Sequence, residues 1–269
     1  MDGTSIDSQE GVTQGDPLAM QMYSVASRRI VENLKGVVGE VKQVWYADDS
    51  AGAGSLRDLY QWWSHLADTG PLYGYFPNVS KTCIVVKSEE MAVRARNIFG
   101  PEIKITTEGK RYVGAALGTE EFKMGYVKAK VEKWAEDVEE LAQIAKEEPQ
   151  AALSAYNTGL SQRWTFLQRT MGLNADLYQP IEDKIRHQLI PALCGRQVSD
   201  LERRMLALPY RLGGMGIRNP VKSASSVHEA SIKITKPLAD LIVVQDMDIT
   251  KLDAEVTKKQ RKRWPRTRG

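Results

Sequence analysis

Val41-Lys42-Gln43-Val44-Trp45-Tyr46-Ala47-Asp48-Asp49 is the stretch on which the fold turns. Residues 41–46 alternate roughly as a β-strand does. The run ends in two adjacent carboxylates. On a continuing strand, neighbouring side chains point to opposite faces. At a hairpin tip, both can approach one site. Two hard oxygen donors at such a tip suit Mg²⁺, which takes few carboxylates and keeps water and substrate phosphates as its other ligands. For an Asp-Asp pair by itself, an ordinary polar turn is the commoner reading.

Working outward, Thr82-Cys83-Ile84-Val85-Val86 reads as a second strand and Arg111-Tyr112-Val113-Gly114-Ala115-Ala116-Leu117 as a third. A helix is predicted from Asp16-Pro17, with proline suited to the first helical position and Leu18, Met22, Ala26, Ile30 and Leu34 on one face. Another helix spans about 56–67. After residue 118 the pattern changes. Val127, Val131, Trp134, Val138, Leu141 and Ala145 form a helical stripe that ends at Glu147-Glu148-Pro149. Leu153, Tyr156, Leu160, Trp164, Leu167 and Met171 form a second stripe, and Leu177, Ile181, Ile185 and Leu189 a third, with Pro180 tolerable only near its start. The fold class predicted is α+β: a short antiparallel sheet with packed helices, then a helical bundle, with the boundary near Gly118-Thr119.

Composition narrows the function classes. The 269 residues suffice for one large or two modest domains with a real core. Hydrophobic residues at 42% and charged residues at 26% exclude wholesale disorder. Cys83 and Cys194 stand alone and far apart, and His65, His187 and His228 lack metal-ligand spacing, so disulfide and zinc frameworks are excluded. The polar start and the lack of a long apolar run predict an intracellular chain, nuclear or cytoplasmic, with no membrane partner. Seven basic residues and no acid lie between Val256 and the end; without them 30 basic residues face 34 acidic ones, leaving residues 1–255 at −4. The body is therefore no general polyanion binder, while the tail, 256–269, reads as salt-sensitive nucleic-acid attraction, a nuclear-import signal or a solvated end.

Two further segments carry chemistry. Gly11-Val12-Thr13-Gln14-Gly15-Asp16-Pro17-Leu18 is a glycine-punctuated loop opening a helix, where backbone N–H groups allow close approach by a nucleotide or template strand. A capped helix start explains most of it as well. Gly74-Tyr75-Phe76-Pro77-Asn78-Val79-Ser80-Lys81-Thr82 is a turn leading into a strand, and Lys81 could neutralise or protonate a phosphate leaving group, or be a solvated turn lysine.

Together and in this order, the segments resemble the reverse transcriptase family of the non-LTR retrotransposon and group II intron type. Gln14-Gly15-Asp16-Pro17-Leu18 resembles motif B, Tyr46-Ala47-Asp48-Asp49 the YADD box of motif C, Asn78 through Thr82 the N-x-x-K-T of motif D, and Arg111-Tyr112-Val113-Gly114 motif E, with Val for Leu. Leu208-Pro209-Tyr210-Arg211-Leu212-Gly213-Gly214-Met215-Gly216-Ile217 is similar to a stretch that follows the polymerase in such elements. The resemblance covers about residues 8–220.

The resemblance implies a partial polymerase palm over 1–118, a thumb-like bundle over 119–195, a helical and loop extension over 196–255 and the basic tail. It implies metal-assisted addition of deoxynucleoside triphosphates to a DNA primer on an RNA template, with Mg²⁺ or Mn²⁺ as cofactor and ions roughly 3.5–4 Å apart, the arrangement general to polymerases. Asp48 would be a bridging metal ligand and Asp49 its electrostatic neighbour. Gln14, Gly15, Asp16, Pro17 and Tyr46 would line the nucleotide and template side. Lys81 would sit near the pyrophosphate, Tyr112, Val113 and Gly114 would support the primer terminus, and the bundle would grip the duplex through its backbone. The family's fingers and motif A, which supplies the other bridging Asp, should precede motif B. Only ten residues precede Gly11, and Asp2 and Asp7 lie in a polar stretch without strand pattern. The expectation is therefore a fragment inactive by itself, its missing half a possible partner, with Val41 and Val44 at an unpaired sheet edge. The alternative is a non-catalytic nucleic-acid-binding remnant. Trp62, Trp63, Trp134 and Trp164 read as packing residues rather than base-stacking platforms.

Overall fold

A computed structural model describes residues 15–245 of the chain. Gln14, Asp2, Asp7 and the basic tail lie outside the described residues. The chain divides into two compact units: 15–106 together with 238–245, and 107–237.

In the first unit, α1 (Ala19–Val37) leads to the hairpin of β1 (Lys42–Tyr46) and β2 (Asp49–Ala53), followed by α2 (Leu56–Thr69). Ser55 caps α2 by accepting from the Asp58 amide at 3.2 Å. A βαβ unit follows, β3 (Cys83–Val85), α3 (Glu89–Phe99) and β4 (Lys104–Thr106), with its strands parallel. Ile30, Leu34, Val38, Val41, Trp62 and Leu66 form the main core here. Only the C-terminal half of the stripe expected on α1 is covered: Ile30 and Leu34 are buried, while Leu18 and Met22 are more than half exposed. α1 starts at Ala19, just after Asp16-Pro17; the Asp16 carboxylate accepts from the Leu18 amide at 2.7 Å and shapes that entry.

Val41, just before β1, and Gln43 and Trp45 on the inner face of β1 point into this core. The buried Gln43 side chain is paired at both of its polar atoms: its Oε1 accepts from Trp45 Nε1 at 3.1 Å and Trp62 Nε1 at 3.2 Å, and its Nε2 donates to the Val31 carbonyl at 3.0 Å. The backbone groups of alternate strand residues face opposite sides. Those of Gln43 face away from β2 and are taken by one side chain. Gln245 Oε1 accepts from the Gln43 amide at 3.2 Å, and Gln245 Nε2 donates to the Gln43 carbonyl at 3.0 Å. Among the described residues β1 pairs with β2 alone, so its other edge lacks a strand partner as expected; at Gln43 that edge is capped by a primary amide, and Val41 is buried.

In the second unit, β5 (Gly109–Tyr112) and β6 (Ala115–Gly118) form a hairpin. This corrects the single strand expected over 111–117. Val113 and Gly114 both have positive φ, +46° and +80°, and turn the chain there. Thr119 then caps α4 (Glu120–Ala145), whose Val127, Val131, Trp134 and Val138 are buried as their spacing predicts. The second stripe runs through α5 (Pro149–Ala155), a wide turn at Tyr156–Leu160, and α6 (Ser161–Met171). The third runs through α7 (Gln179–Lys184), a second wide turn at Ile185–Leu189, and α8 (Ile190–Cys194). Apolar residues spaced by four repeatedly, as in 156-160-164 and 181-185-189, overshoot the ~3.6 residues of an α-turn, and an i→i+5 turn brings them back to one face. Trp134 and Trp164 pack at 6.3 Å between ring centres inside this core, and Trp62 is buried in the first unit, as packing residues are.

α9 (Asp200–Leu206) and the loop to α10 (Pro220–Val244) close the bundle. Arg203 and Glu182, both buried, pair through two hydrogen bonds of 2.9 and 2.7 Å, and Arg203 Nη1 donates to the Ile217 carbonyl at 2.7 Å. Asn157 Nδ2 donates to the Tyr210 hydroxyl at 2.8 Å and to the Met215 carbonyl at 3.0 Å. The glycine-rich stretch 208–217 is therefore a knot that joins α9 to the wide turn at 156–160. Gly214 has no alternative there, since a Cβ would lie 2.0 Å from the Leu208 oxygen.

Candidate functional site

The two-residue connection between β1 and β2 is Ala47-Asp48, with Tyr46 and Asp49 paired across its base. Ala47 has φ of +52°. A residue with a Cβ in this region costs about 1–2 kcal/mol, so the surrounding contacts must hold the turn in place. Asp48 occupies the second turn position and Asp49 begins β2, and both side chains are exposed. The carboxylates are thus presented at the tip rather than used in packing. Tyr46 is also exposed, at 62%.

Two tyrosines flank the tip. Tyr75 follows the short turn Gly70–Tyr73, and its ring packs edge-on against Trp45 at 5.3 Å. Its hydroxyl donates to the Asp48 carbonyl at 2.9 Å and lies 3.0 Å from Ser50 Oγ. Burial raises the Tyr75 phenol pKa; the Ser50 hydrogen bond opposes this, and the charges of Asp48 and Asp49 add to the rise. Tyr23, on α1, is raised by burial first and then by Tyr75 and Asp48. The helix that follows Gly15-Asp16-Pro17 therefore brings a phenol into the field of the Asp48 carboxylate, and both phenols stay protonated at neutral pH.

The other residues singled out from sequence fall as follows. Gly15 is exposed with φ of +99° and leads into α1 with Asp16 and Pro17. The Asp16 carboxylate is engaged in the entry to that helix. Lys81 ends the turn Val79–Lys81, where Asn78 Oδ1 accepts from its amide at 3.1 Å, and its side chain is exposed. Tyr112, Val113 and Gly114 form the β5–β6 turn of the second unit, and Tyr126 donates to the Gly114 carbonyl at 2.8 Å.

The tip supplies hard anionic oxygens with open access, the donor chemistry of a Mg²⁺ that retains water and phosphate ligands. Among the described residues no three His, Cys, Asp or Glu side chains come together as a metal group, so the tip offers Asp48 and Asp49 alone. Tyr75, Ser50 and Tyr23 were not singled out in the sequence. Tyr75 sits inside the quoted Gly74–Thr82 stretch, but no spacing ties it to residue 48. No helix among the described residues is long and apolar enough to cross a membrane. No protein-family model, curated protein or solved structure matches the chain.

Proposed function

We propose that this chain is part of a reverse transcriptase of the non-LTR retrotransposon and group II intron type. It would contribute the metal-binding hairpin of a centre that adds deoxynucleotides to a DNA primer on an RNA template. The observation that supports this best is the placement of Tyr46-Ala47-Asp48-Asp49: a strand, a two-residue turn and two exposed carboxylates, with the Asp48 charge acting on a phenol of the helix that follows Gly15-Asp16-Pro17.

Asp48 and Asp49 would hold Mg²⁺ or Mn²⁺, which supplies charge neutralisation of a triphosphate and activation of a primer hydroxyl. The protein's own part is orientation. The hairpin sets Asp48 in its strained turn and Asp49 at the first position of β2, and a cation held by them would lower the repulsion between the two charges. Lys81, exposed on the connection that also carries Tyr75, offers a positive charge for a phosphate product. The Tyr112-Val113-Gly114 turn would support a primer end, and the basic tail would add salt-sensitive attraction for nucleic acid.

A second reading is a nucleic-acid-binding remnant without catalysis, since among the described residues the tip brings together two carboxylates and no third. Misplacing one group at a reacting centre can cost ~10²-fold, and a missing bridging carboxylate costs more. Primer extension with Mg²⁺ or Mn²⁺, with Asp48→Ala as control, separates the two. Extension that disappears in the variant supports the polymerase. Salt-dependent binding of a primer–template duplex without extension supports the remnant.

A further inference from the structure

We propose that Tyr75 is a positioning residue for the carboxylate tip: its hydroxyl clamps the turn that presents Asp48 and Asp49 to a divalent cation. This rests on the reading of the tip as a cation site.

The geometry carries it. The phenol proton goes to the Asp48 carbonyl at 2.9 Å, which leaves Ser50 Oγ to donate to the phenol oxygen at 3.0 Å. One hydroxyl therefore bridges the residues on either side of Asp49. The bridge fixes the peptide that leaves Asp48 and the position of β2 just beyond Asp49. A turn with Ala47 at φ of +52° tends to relax, and relaxation swings both acids. The ring is itself held by its edge contact with Trp45, which the buried Gln43 anchors through Trp45 Nε1. The chain of support thus runs from the core to the tip through one aromatic pair. With its proton and a lone pair engaged, the phenol acts through the turn rather than as a ligand.

The test is titration of the full chain with Tb³⁺ alone, read by luminescence sensitised by the nearby aromatic rings, alongside hydrogen exchange of the amides of residues 48–50. Tyr75→Phe keeps the ring against Trp45 and removes the hydroxyl. It is expected to weaken Tb³⁺ binding roughly three- to tenfold, the scale of one or two net hydrogen bonds. It is also expected to speed exchange at 48–50 while leaving α2 unchanged. Ser50→Ala, which keeps the phenol, is expected to move both readouts in the same direction by less. Asp48→Asn is expected to abolish the signal at the same concentrations. Native values for Tyr75→Phe in both readouts, with binding still lost in Asp48→Asn, overturn the role of Tyr75 alone. A native chain that gives no Tb³⁺ signal removes the cation site, and the proposal with it.

Discussion

Glu182→Leu leaves the Arg203 guanidinium inside the bundle without its counter-charge. The two side chains are 6% and 5% exposed, and Arg203 spends three donors there, two on Glu182 and one on the Ile217 carbonyl. Removing one member of such a buried pair costs about 3–5 kcal/mol. For a unit of this size, about 3–5 °C is lost per kcal/mol, so its unfolding transition falls by roughly 10–20 °C. The double variant Glu182→Leu/Arg203→Leu removes both charges and leaves the Ile217 carbonyl without this partner, at about 1–3 kcal/mol. The double change is therefore milder than Glu182→Leu alone. The assay is thermal unfolding followed by tryptophan fluorescence, because Trp134 and Trp164 lie buried in this unit. Asp200→Asn, which breaks the exposed Arg186–Asp200 pair, serves as control and leaves the transition nearly in place. A fall of only a few degrees for Glu182→Leu, or a double variant less stable than the single, refutes the reasoning.

Gly214→Ala places a methyl group 2.0 Å from the Leu208 oxygen, so it opens the 208–217 knot and destabilises the unit by more than about 2 kcal/mol, measured by urea unfolding. Gln245→Ala strips the amide from Gln43, speeds hydrogen exchange at Gln43, costs about 1–3 kcal/mol and promotes concentration-dependent self-association in sedimentation; native exchange at Gln43 contradicts this. Burial pushes the Tyr178 phenol up to about 12 and Tyr156 higher still. Their folded pKa values are raised, so the stability they contribute is full below about pH 10 and is lost as pH rises through 12. In absorbance titration at alkaline pH these tyrosines ionise well above pH 10, Tyr178 near 12 while the unit is folded, and ionisation near pH 10 in a folded unit refutes it.

The residue pattern reached some levels of this fold and not others. Val127, Val131, Trp134 and Val138 announce a buried helix face because their spacing is a property of one helix. The strand ending in Asp48-Asp49 is legible for the same reason, since alternation and a polar end are local. Gln43 breaks the rule, a polar side chain on the inner face. Its burial depends on Trp45, Trp62 and Val31, partners that alternation cannot name. Val113-Gly114 was absorbed into a strand because Val favours strands; the positive φ of both residues shows the turn instead. The stripe on α1 reads as one continuous face, yet the hairpin and α2 reach only its C-terminal half. At the tip, the carboxylates were visible as a dipeptide. Tyr75 reaches the Asp48 carbonyl across 27 residues of chain and Tyr23 the field of its carboxylate across 25, and only the folded geometry joins them.

Addition of Mn²⁺ in small steps to the ¹⁵N-labelled chain, followed by paramagnetic broadening of its amide resonances, tests most directly whether Asp48 and Asp49 hold a divalent ion. Resonances of residues 46–50 should broaden first, and Asp48→Asn should abolish that selectivity. Broadening that begins around other exposed acids such as Glu147 or Glu148, or that is unchanged in Asp48→Asn, contradicts a cation site at the hairpin tip.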